Sequence, residues 1–174
     1  MDLKLKIREI PDFPKEGILF YDVTTLLKDP AAFKIAVNRM VEHYTEKGIK
    51  VDKVVSMESR GFILGSILAY ELEAGFVPIR KPGKLPSKSI TEEYVLEYGT
   101  DKLEMHEDAI EKGENVLVVD DLLATGGTCA ATVKLIEKLG GKVVSCGFLI
   151  ELTFLNGRDK LRGHDVFALL QYDK

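Results

Sequence analysis

The stretch VLVVDDLLATGGT, residues 116–128, combines an apolar run with two adjacent acids and a small turn that contains glycine. The apolar run is typical of a strand buried on both faces of a parallel sheet. Because the strand ends at Asp120, the loop after it lies at the carboxyl edge of the sheet, where open α/β folds bind ligands. The TGGT turn opens a helix, and its free N–H groups and threonine hydroxyls predict a phosphate site.

The rest of the chain repeats this alternation of strand and helix. Strands are predicted at residues 53–57, 76–80, 114–120, 142–152 and 165–172, and helices from Pro30 to Gly48, at 61–75 and at 128–140. Near-continuous apolar strands between helices indicate an α/β fold, in which a mostly parallel central sheet of about five strands is flanked by helices.

Composition limits the class of protein. The 174 residues are 45% hydrophobic, which is enough for one full core, so residues 1–174 are expected to form a single domain. A formal charge of −4 gives no general attraction to nucleic acid or to an anionic membrane, and neither partner is expected. Cys129 and Cys146 lack CxxC spacing, and neither a secretory leader nor an apolar run of the ~18 residues needed to span a membrane is found. We expect a cytoplasmic protein.

Two further segments follow predicted strands at the same edge of the sheet. MESRGF, residues 57–62, places Ser59, Arg60 and Gly61 at the start of a helix, where they could bind an anion or, with Glu58, merely cap the helix. RKPGKLP, residues 80–86, contains Arg80, Lys81 and Lys84 and fits either a diphosphate site or a solvated basic loop.

Residues 81–106 form a long insertion between core elements. Two prolines and a glycine precede YVLEY, the turn GTD and KLEMH, so the insertion is predicted to be a loop that opens into an antiparallel hairpin. An insertion of about 25 residues indicates a flexible active-site loop or lid, with disorder as the alternative.

Several phosphate-binding motifs are absent. The chain has no GxxxxGK[ST] and no GxGxxG, which excludes a nucleoside triphosphatase loop and a dinucleotide fingerprint. VLVVDD is similar to the first strand of receiver domains, whose acids lie near the start of a module of about 120 residues. Only 53 residues follow Asp121 here, so a receiver domain is excluded.

VLVVDDLLATGGT resembles the phosphoribosyl pyrophosphate (PRPP) motif of the type I phosphoribosyltransferases. The resemblance implies that Asp120 and Asp121 face the ribose 2- and 3-hydroxyls and that magnesium bridges diphosphate and ribose oxygens, with no direct protein ligand. It assigns the 5-phosphate to Ala124, Thr125, Gly126, Gly127 and Thr128, and the diphosphate to Ser59, Arg60, Gly61, Arg80, Lys81 and Lys84. Pro82 stands where many relatives carry a second basic residue, so that position receives no role.

The order ESRGF, RKPGKLP, LEYG and DDLLATGGT is similar to the members of that family that use adenine, over nearly the whole chain. The resemblance implies an N-terminal hood, residues 1–28, over the base. Phe20 would stack on one purine face, Leu152 would cover the other, and the backbone of Leu19 and Tyr21 would pair with the base edge. Without the resemblance, Phe13 and Phe20 equally fit plain core aromatics.

The same resemblance makes Glu97 the general acid on the loop, and Tyr98 beside it would order the loop. Read without it, Glu97 is an exposed hairpin acid. The implied reaction transfers the phosphoribosyl group of PRPP to adenine, giving AMP and diphosphate, in a homodimer. A different acceptor base and a PRPP-sensing regulator remain alternatives. His43, His106 and His164 lack metal spacing, and Cys129 is expected to be a packed small residue unless the helix N-terminus lowers its pKa.

Overall fold

The computed structural model describes residues 1–96 and 98–174. Its strands are β1 (Arg8–Ile10), β2 (Phe20–Asp22), β3 (Lys53–Met57), β4 (Gly75–Ile79), β5 (Ser89–Val95), β6 (Thr100–His106), β7 (Asn115–Leu123), β8 (Lys142–Leu152) and β9 (Val166–Tyr172). Its α-helices are α1 (Thr24–Leu27), α2 (Pro30–Glu46), α3 (Gly61–Glu71) and α4 (Gly127–Lys138). Short 3-10 helices lie at Leu3–Lys6, Thr153–Leu155 and Gly157–Leu161.

The centre of the fold is a five-stranded sheet in the order β4-β3-β7-β8-β9, and every neighbouring pair in it is parallel. The α/β prediction is therefore confirmed. The chain runs outward from β3 to β4 and then returns to β7 on the other side of β3. Such a reversal opens a crevice at the carboxyl ends of the two central strands, which is where open α/β sheets bind ligands.

The sheet is buried on both faces, as the apolar run of β7 predicts. Leu117 and Val119 pack into the core layer that contains Met40 of α2 and Leu64 of α3. Val116 and Val118 of β7 pack into the opposite layer, with Leu135 and Ile136 of α4. Because successive side chains of a strand point to opposite faces, a strand between two layers must be apolar throughout.

Two predicted boundaries were wrong by three or more residues, whereas the others differ by at most two. The helix that begins at Gly61 ends at Glu71, not at Gly75, because Glu73 adopts a positive φ of 55° and the Ala74 N–H closes the helix on the Ala69 carbonyl. Gly75 instead begins β4. Strand β7 continues past Asp120 to Leu123, so both acids lie within the strand and the phosphate loop begins after it.

Two antiparallel pairs flank the sheet. β1 and β2 form the hood, where the Arg8 guanidinium contacts the buried carboxylate of Asp22 at 2.7 Å. β5 and β6 form the predicted hairpin, and Glu92 ties it to α4 through ion pairs with Lys134 and Lys138. In the part of the chain that the structure describes, no helix has the length and apolar character needed to cross a membrane.

Candidate active site

The two acids of β7 form the floor of the site. The Asp121 carboxylate is buried, and its Oδ2 lies 3.0 Å from Nε of Arg60. This contact is an ion pair without an aligned hydrogen bond, since the same Oδ2 has no hydrogen-bond partner within residues 1–96 and 98–174. The Asp121 N–H donates to Oδ1 of Asp120 at 2.9 Å. Burial and the neighbouring Asp121 carboxylate raise the pKa of Asp120 well above its usual range.

The turn after β3 lies directly against the acids. Ser59 and Arg60 are exposed, and Gly61 begins α3 without a side-chain cap at its N-terminus. A Cβ atom on Gly61 would lie only 2.7 Å from Oδ1 of Asp120, so this close approach requires glycine. The predicted diphosphate turn and the predicted ribose acids are therefore brought together.

The TGGT segment has the geometry of an anion cradle. Gly126 adopts a left-handed φ of 82° and precedes the first residue of α4, with no side chain capping the helix. The first backbone N–H groups of such a helix have no partner within the helix and face outward. They open onto a cavity of about 80 Å³ lined by Asp120, residues 122–129 and Phe148. All five predicted 5-phosphate residues line this cavity.

A second cavity of about 320 Å³, here called the site cavity, joins these segments. Its lining comes from both central strand ends, the basic loop and the hairpin: Met57, Glu58, Ser59, Arg60, Lys81, Tyr94, Leu103, Asp120, Asp121 and Thr128. Cations therefore face acids across a space between the two segments predicted to bind phosphate groups. Among residues 1–96 and 98–174, no group of three or more His, Cys, Asp or Glu side chains is arranged to hold a metal ion.

Glu58 joins the diphosphate turn to the basic loop. Its Oε1 accepts the Lys81 backbone N–H at 2.6 Å and lies 3.3 Å from Nε of Arg80. These contacts lower the pKa of Glu58, and the backbone hydrogen bond contributes most. Glu58 therefore fixes the start of the insertion and does not cap α3. Lys84 is exposed on the same loop.

The hood brings Phe20 to the edge of the site. The guanidinium of Arg60 lies 5.8 Å from the centre of the Phe20 ring, and Phe13 packs edge-on against Phe20 at 5.1 Å. Leu152 is buried at the end of β8, beside Tyr172 of β9, whose ring lies 4.1 Å from that of Tyr21. Leu19 is partly buried against the core layer that contains Leu152 and Tyr21. Their contacts with a base remain predictions.

The family model of the phosphoribosyl transferase domain matches residues 23–168 of the chain. This chain belongs to that family. It is 61% identical over 173 residues to the adenine phosphoribosyltransferase of Solibacter usitatus, a match that covers 99% of each chain.

Solved structures agree with the family assignment. The crystal structure of adenine phosphoribosyltransferase from Thermoanaerobacter pseudethanolicus superposes with a TM-score of 0.95 at 53% identity and covers 98% of each chain. The Saccharomyces cerevisiae enzyme, complexed with D-2,5-dideoxy-2,5-imino-altritol 1,6-bisphosphate and adenine, superposes with a TM-score of 0.93 at 43% identity and covers 97% of each chain.

The sequence predicts that the insertion reaches the active site of this phosphoribosyl transferase domain, but it does not indicate which hairpin residues do so. Tyr94 and Leu103 line the site cavity, and Asp101 forms an ion pair with Lys81. The turn GTD suggests a hairpin, but the pairing of Tyr94 with Asp101 becomes visible only when its register is known. Gly157, also missed, packs its carbonyl against Gly126.

Four other residues were singled out from the sequence: Glu97, Tyr98, His43 and Cys129. Glu97 lies outside the described residues, and the Tyr98 side chain beside it is 82% exposed. His43 is stacked on Phe167 at 3.7 Å, and its buried Nε2 has no hydrogen-bond partner among the described residues. Cys129 is packed as predicted, but Cys146 and burial raise its pKa, contrary to the expected effect of the helix N-terminus.

Proposed function

We propose that the protein transfers the 5-phosphoribosyl group of PRPP to adenine and releases AMP and diphosphate. The observation that supports this most directly is the site cavity, where the acid pair of β7 lies between the turn after β3 and the N-terminus of α4. Relatives that match over nearly the whole chain are adenine phosphoribosyltransferases, and one of them was solved with adenine and a bisphosphate bound. The reaction serves purine salvage.

Ribose 5-phosphate binds between β7 and α4. The N–H groups that follow Gly126 and the hydroxyls of Thr125 and Thr128 donate to the 5-phosphate. Asp120 and Asp121 accept hydrogen bonds from the ribose hydroxyls, and their negative potential stabilises the positive charge that develops on the sugar as the diphosphate departs.

The diphosphate binds at the turn after β3 and at the basic loop. Backbone N–H groups from Ser59 to Gly61, together with the Arg60 guanidinium, hold it beside the acid pair. Arg80, Lys81 and Lys84 bring positive charge from the insertion, which favours departure of the charged leaving group.

Adenine binds under the hood. Phe20 stacks on one face of the purine and Leu152 covers the other, while backbone groups of Leu19 and Tyr21 pair with its edge. Glu97 exchanges a proton with N7 of the base, because a carboxyl enclosed by a closing loop has a raised pKa. Tyr98 orders that loop, and closure excludes water from the reacting sugar.

Magnesium fits this cavity. Two carboxylates line the cavity, and among the described residues the buried Oδ2 of Asp121 is paired with Arg60 but accepts no aligned hydrogen bond, so a hard cation's water can still donate to it. We expect diphosphate and ribose oxygens to be its main ligands, with Asp120 and Asp121 near its water. When bound, the ion neutralises charge on the diphosphate.

We also propose a cytoplasmic homodimer. Both cysteines are buried free thiols, which agrees with a reducing compartment. Ile63 and Tyr70, seven residues apart on one face of α3, are 40% and 82% exposed. Large exposed apolar side chains on one helix face favour a contact between copies of the chain, and α3 begins at the diphosphate turn.

The test is a set of separate reactions that contain the purified protein, magnesium, PRPP and either adenine, hypoxanthine, guanine, xanthine or orotate. We expect AMP from adenine and at least about 100-fold lower kcat/KM for the other bases. Efficient reaction with another base would assign the pocket to that base. PRPP binding with no nucleotide formed from any base would favour the PRPP-sensing regulator.

A further inference from the structure

The Lys81 ammonium already has an anionic partner within the protein. Its Nζ forms an ion pair with the Asp101 carboxylate and lies 3.2 Å from the hydroxyl of Tyr94. That hydroxyl in turn donates to Asp101 at 3.2 Å. Tyr94 and Asp101 are opposite each other on β5 and β6, so the hairpin presents both groups together to Lys81.

The backbone and the side chain of Lys81 are held by different groups. Glu58 accepts the Lys81 backbone N–H at 2.6 Å, which fixes the start of the basic loop. The side chain extends into the site cavity together with Ser59 and Arg60, the predicted diphosphate turn. The ammonium can therefore change partners while the loop remains anchored.

The energetics favour such an exchange. The Lys81 and Asp101 side chains are 40% and 32% exposed, and an ion pair with this much exposure is weak compared with contacts to a diphosphate. Burial alone would lower the pKa of Lys81, but the hydrogen bonds to Asp101 and Tyr94 raise it. Lys81 is therefore charged. Its anionic partner is Asp101 in the empty site and would be the diphosphate when substrate is bound.

We propose that Asp101 is a positioning residue that holds the Lys81 ammonium in the empty site and yields it to the diphosphate group. The carboxylate and the diphosphate compete for one cation, so Asp101 weakens diphosphate binding and speeds diphosphate release. The proposal rests on the proposed function, because it requires a diphosphate at this cavity. A purely structural role, in which Asp101 only orders the hairpin, makes the opposite prediction.

The test is calorimetric titration of the protein with inorganic diphosphate and magnesium. Asp101→Asn keeps the shape of the side chain and its acceptor for the Lys102 N–H, but it removes the competing charge. We expect diphosphate to bind the variant roughly two- to fivefold more tightly, the gain that loss of a half-exposed ion pair allows. The gain should disappear in a Lys81→Gln background, because the two side chains act through each other.

Glu93→Gln is the matched control. Glu93 lies on the same hairpin and contacts Lys102 at 3.7 Å, with both side chains more than half exposed and outside the site cavity. If diphosphate binds the Glu93→Gln variant equally more tightly, the change in net charge alone explains the effect, and the proposal is overturned. Unchanged or weaker binding to the Asp101→Asn variant would also overturn it. If the wild-type protein does not bind diphosphate, the proposed function fails as well.

Discussion

The partly buried carboxyl of Asp120 lies beside the buried carboxylate of Asp121, and its raised pKa couples folding to proton uptake. Between the unfolded pKa of about 3.9 and the raised pKa in the fold, the folded state binds more protons, so stability falls as pH rises through this window. The Asp120→Asn variant has no carboxyl to titrate at this position, so it should not lose this stability as pH rises. Its melting temperature should exceed that of the wild type by a few °C at pH 8, with the difference shrinking toward pH 4.

The same variant should lower kcat/KM by at least about tenfold, since the amide no longer stabilises positive charge on the sugar. Thermal unfolding at pH 4 and pH 8 and steady-state kinetics check the two effects. Asp108→Asn, at an exposed acid, is the control. A melting difference that does not change with pH would show that the charge of Asp120 does not limit stability.

Gly126 is the second residue on which the site depends. Its φ of 82° suits glycine, and a Cβ atom there would collide with the Gly157 carbonyl. Gly126→Ala should lose about 1–3 kcal/mol of stability and raise the KM for PRPP at least about fivefold, because the N–H groups of the cradle shift.

Gly163 provides the matched control for Gly126. It also has a positive φ, 89°, but has open space around it. Gly163→Ala should lose only about 1 kcal/mol from backbone strain and leave the KM for PRPP unchanged. An equal rise in KM for both variants would show that the cradle does not depend on the contact between Gly126 and Gly157.

At the scale of elements, the end of β8 supports the cradle through the 3-10 helix Gly157–Leu161. The buried Glu151 carboxylate accepts hydrogen bonds from Nε and Nη2 of Arg158 at 2.7 Å each. This pair fixes Gly157, which packs on the phosphate loop. Arg158→Met keeps the side-chain stem but leaves the carboxylate with only Gln171 as a side-chain donor among the described residues.

Arg158→Met should cost about 1–3 kcal/mol in the free energy of unfolding and raise the KM for PRPP more than the KM for adenine. Urea unfolding and kinetics with each substrate varied provide the measurement. Arg162→Met, which breaks an exposed ion pair with Asp159, should cost under about 0.5 kcal/mol. Equal effects on both KM values would contradict a specific link to the phosphate loop.

The predicted elements differ in how well the sequence defines them. The apolar run of β8 follows the glycine pair Gly140 and Gly141, and its bounds, Lys142–Leu152, were predicted correctly. The end of α3 was missed because Glu73, not a glycine, takes the left-handed conformation that stops the helix. The end of β7 was missed because acids in an apolar strand resemble a loop, although here they face the site.

In the molecule as a whole, the parallel direction of the strands made the position of the site predictable from the sequence. Parallel strands bring their carboxyl ends to one edge, so the meeting of the SRG and TGGT segments followed from sequence. The sequence also predicted an active-site hairpin, but not which of its residues contact the site, because that depends on how Tyr94 and Asp101 pair and on how Glu92 docks the hairpin against α4. The residues of the base pocket were predicted only from the resemblance to the family.

The site cavity is proposed to transfer a phosphoribosyl group to adenine and not to water. The most direct measurement mixes the protein with magnesium, PRPP and adenine and quantifies AMP, diphosphate and free ribose 5-phosphate in the same samples over time. We expect equal amounts of AMP and diphosphate, with free ribose 5-phosphate at most a few per cent of either. Diphosphate released without matching AMP, or no turnover at all, would contradict it.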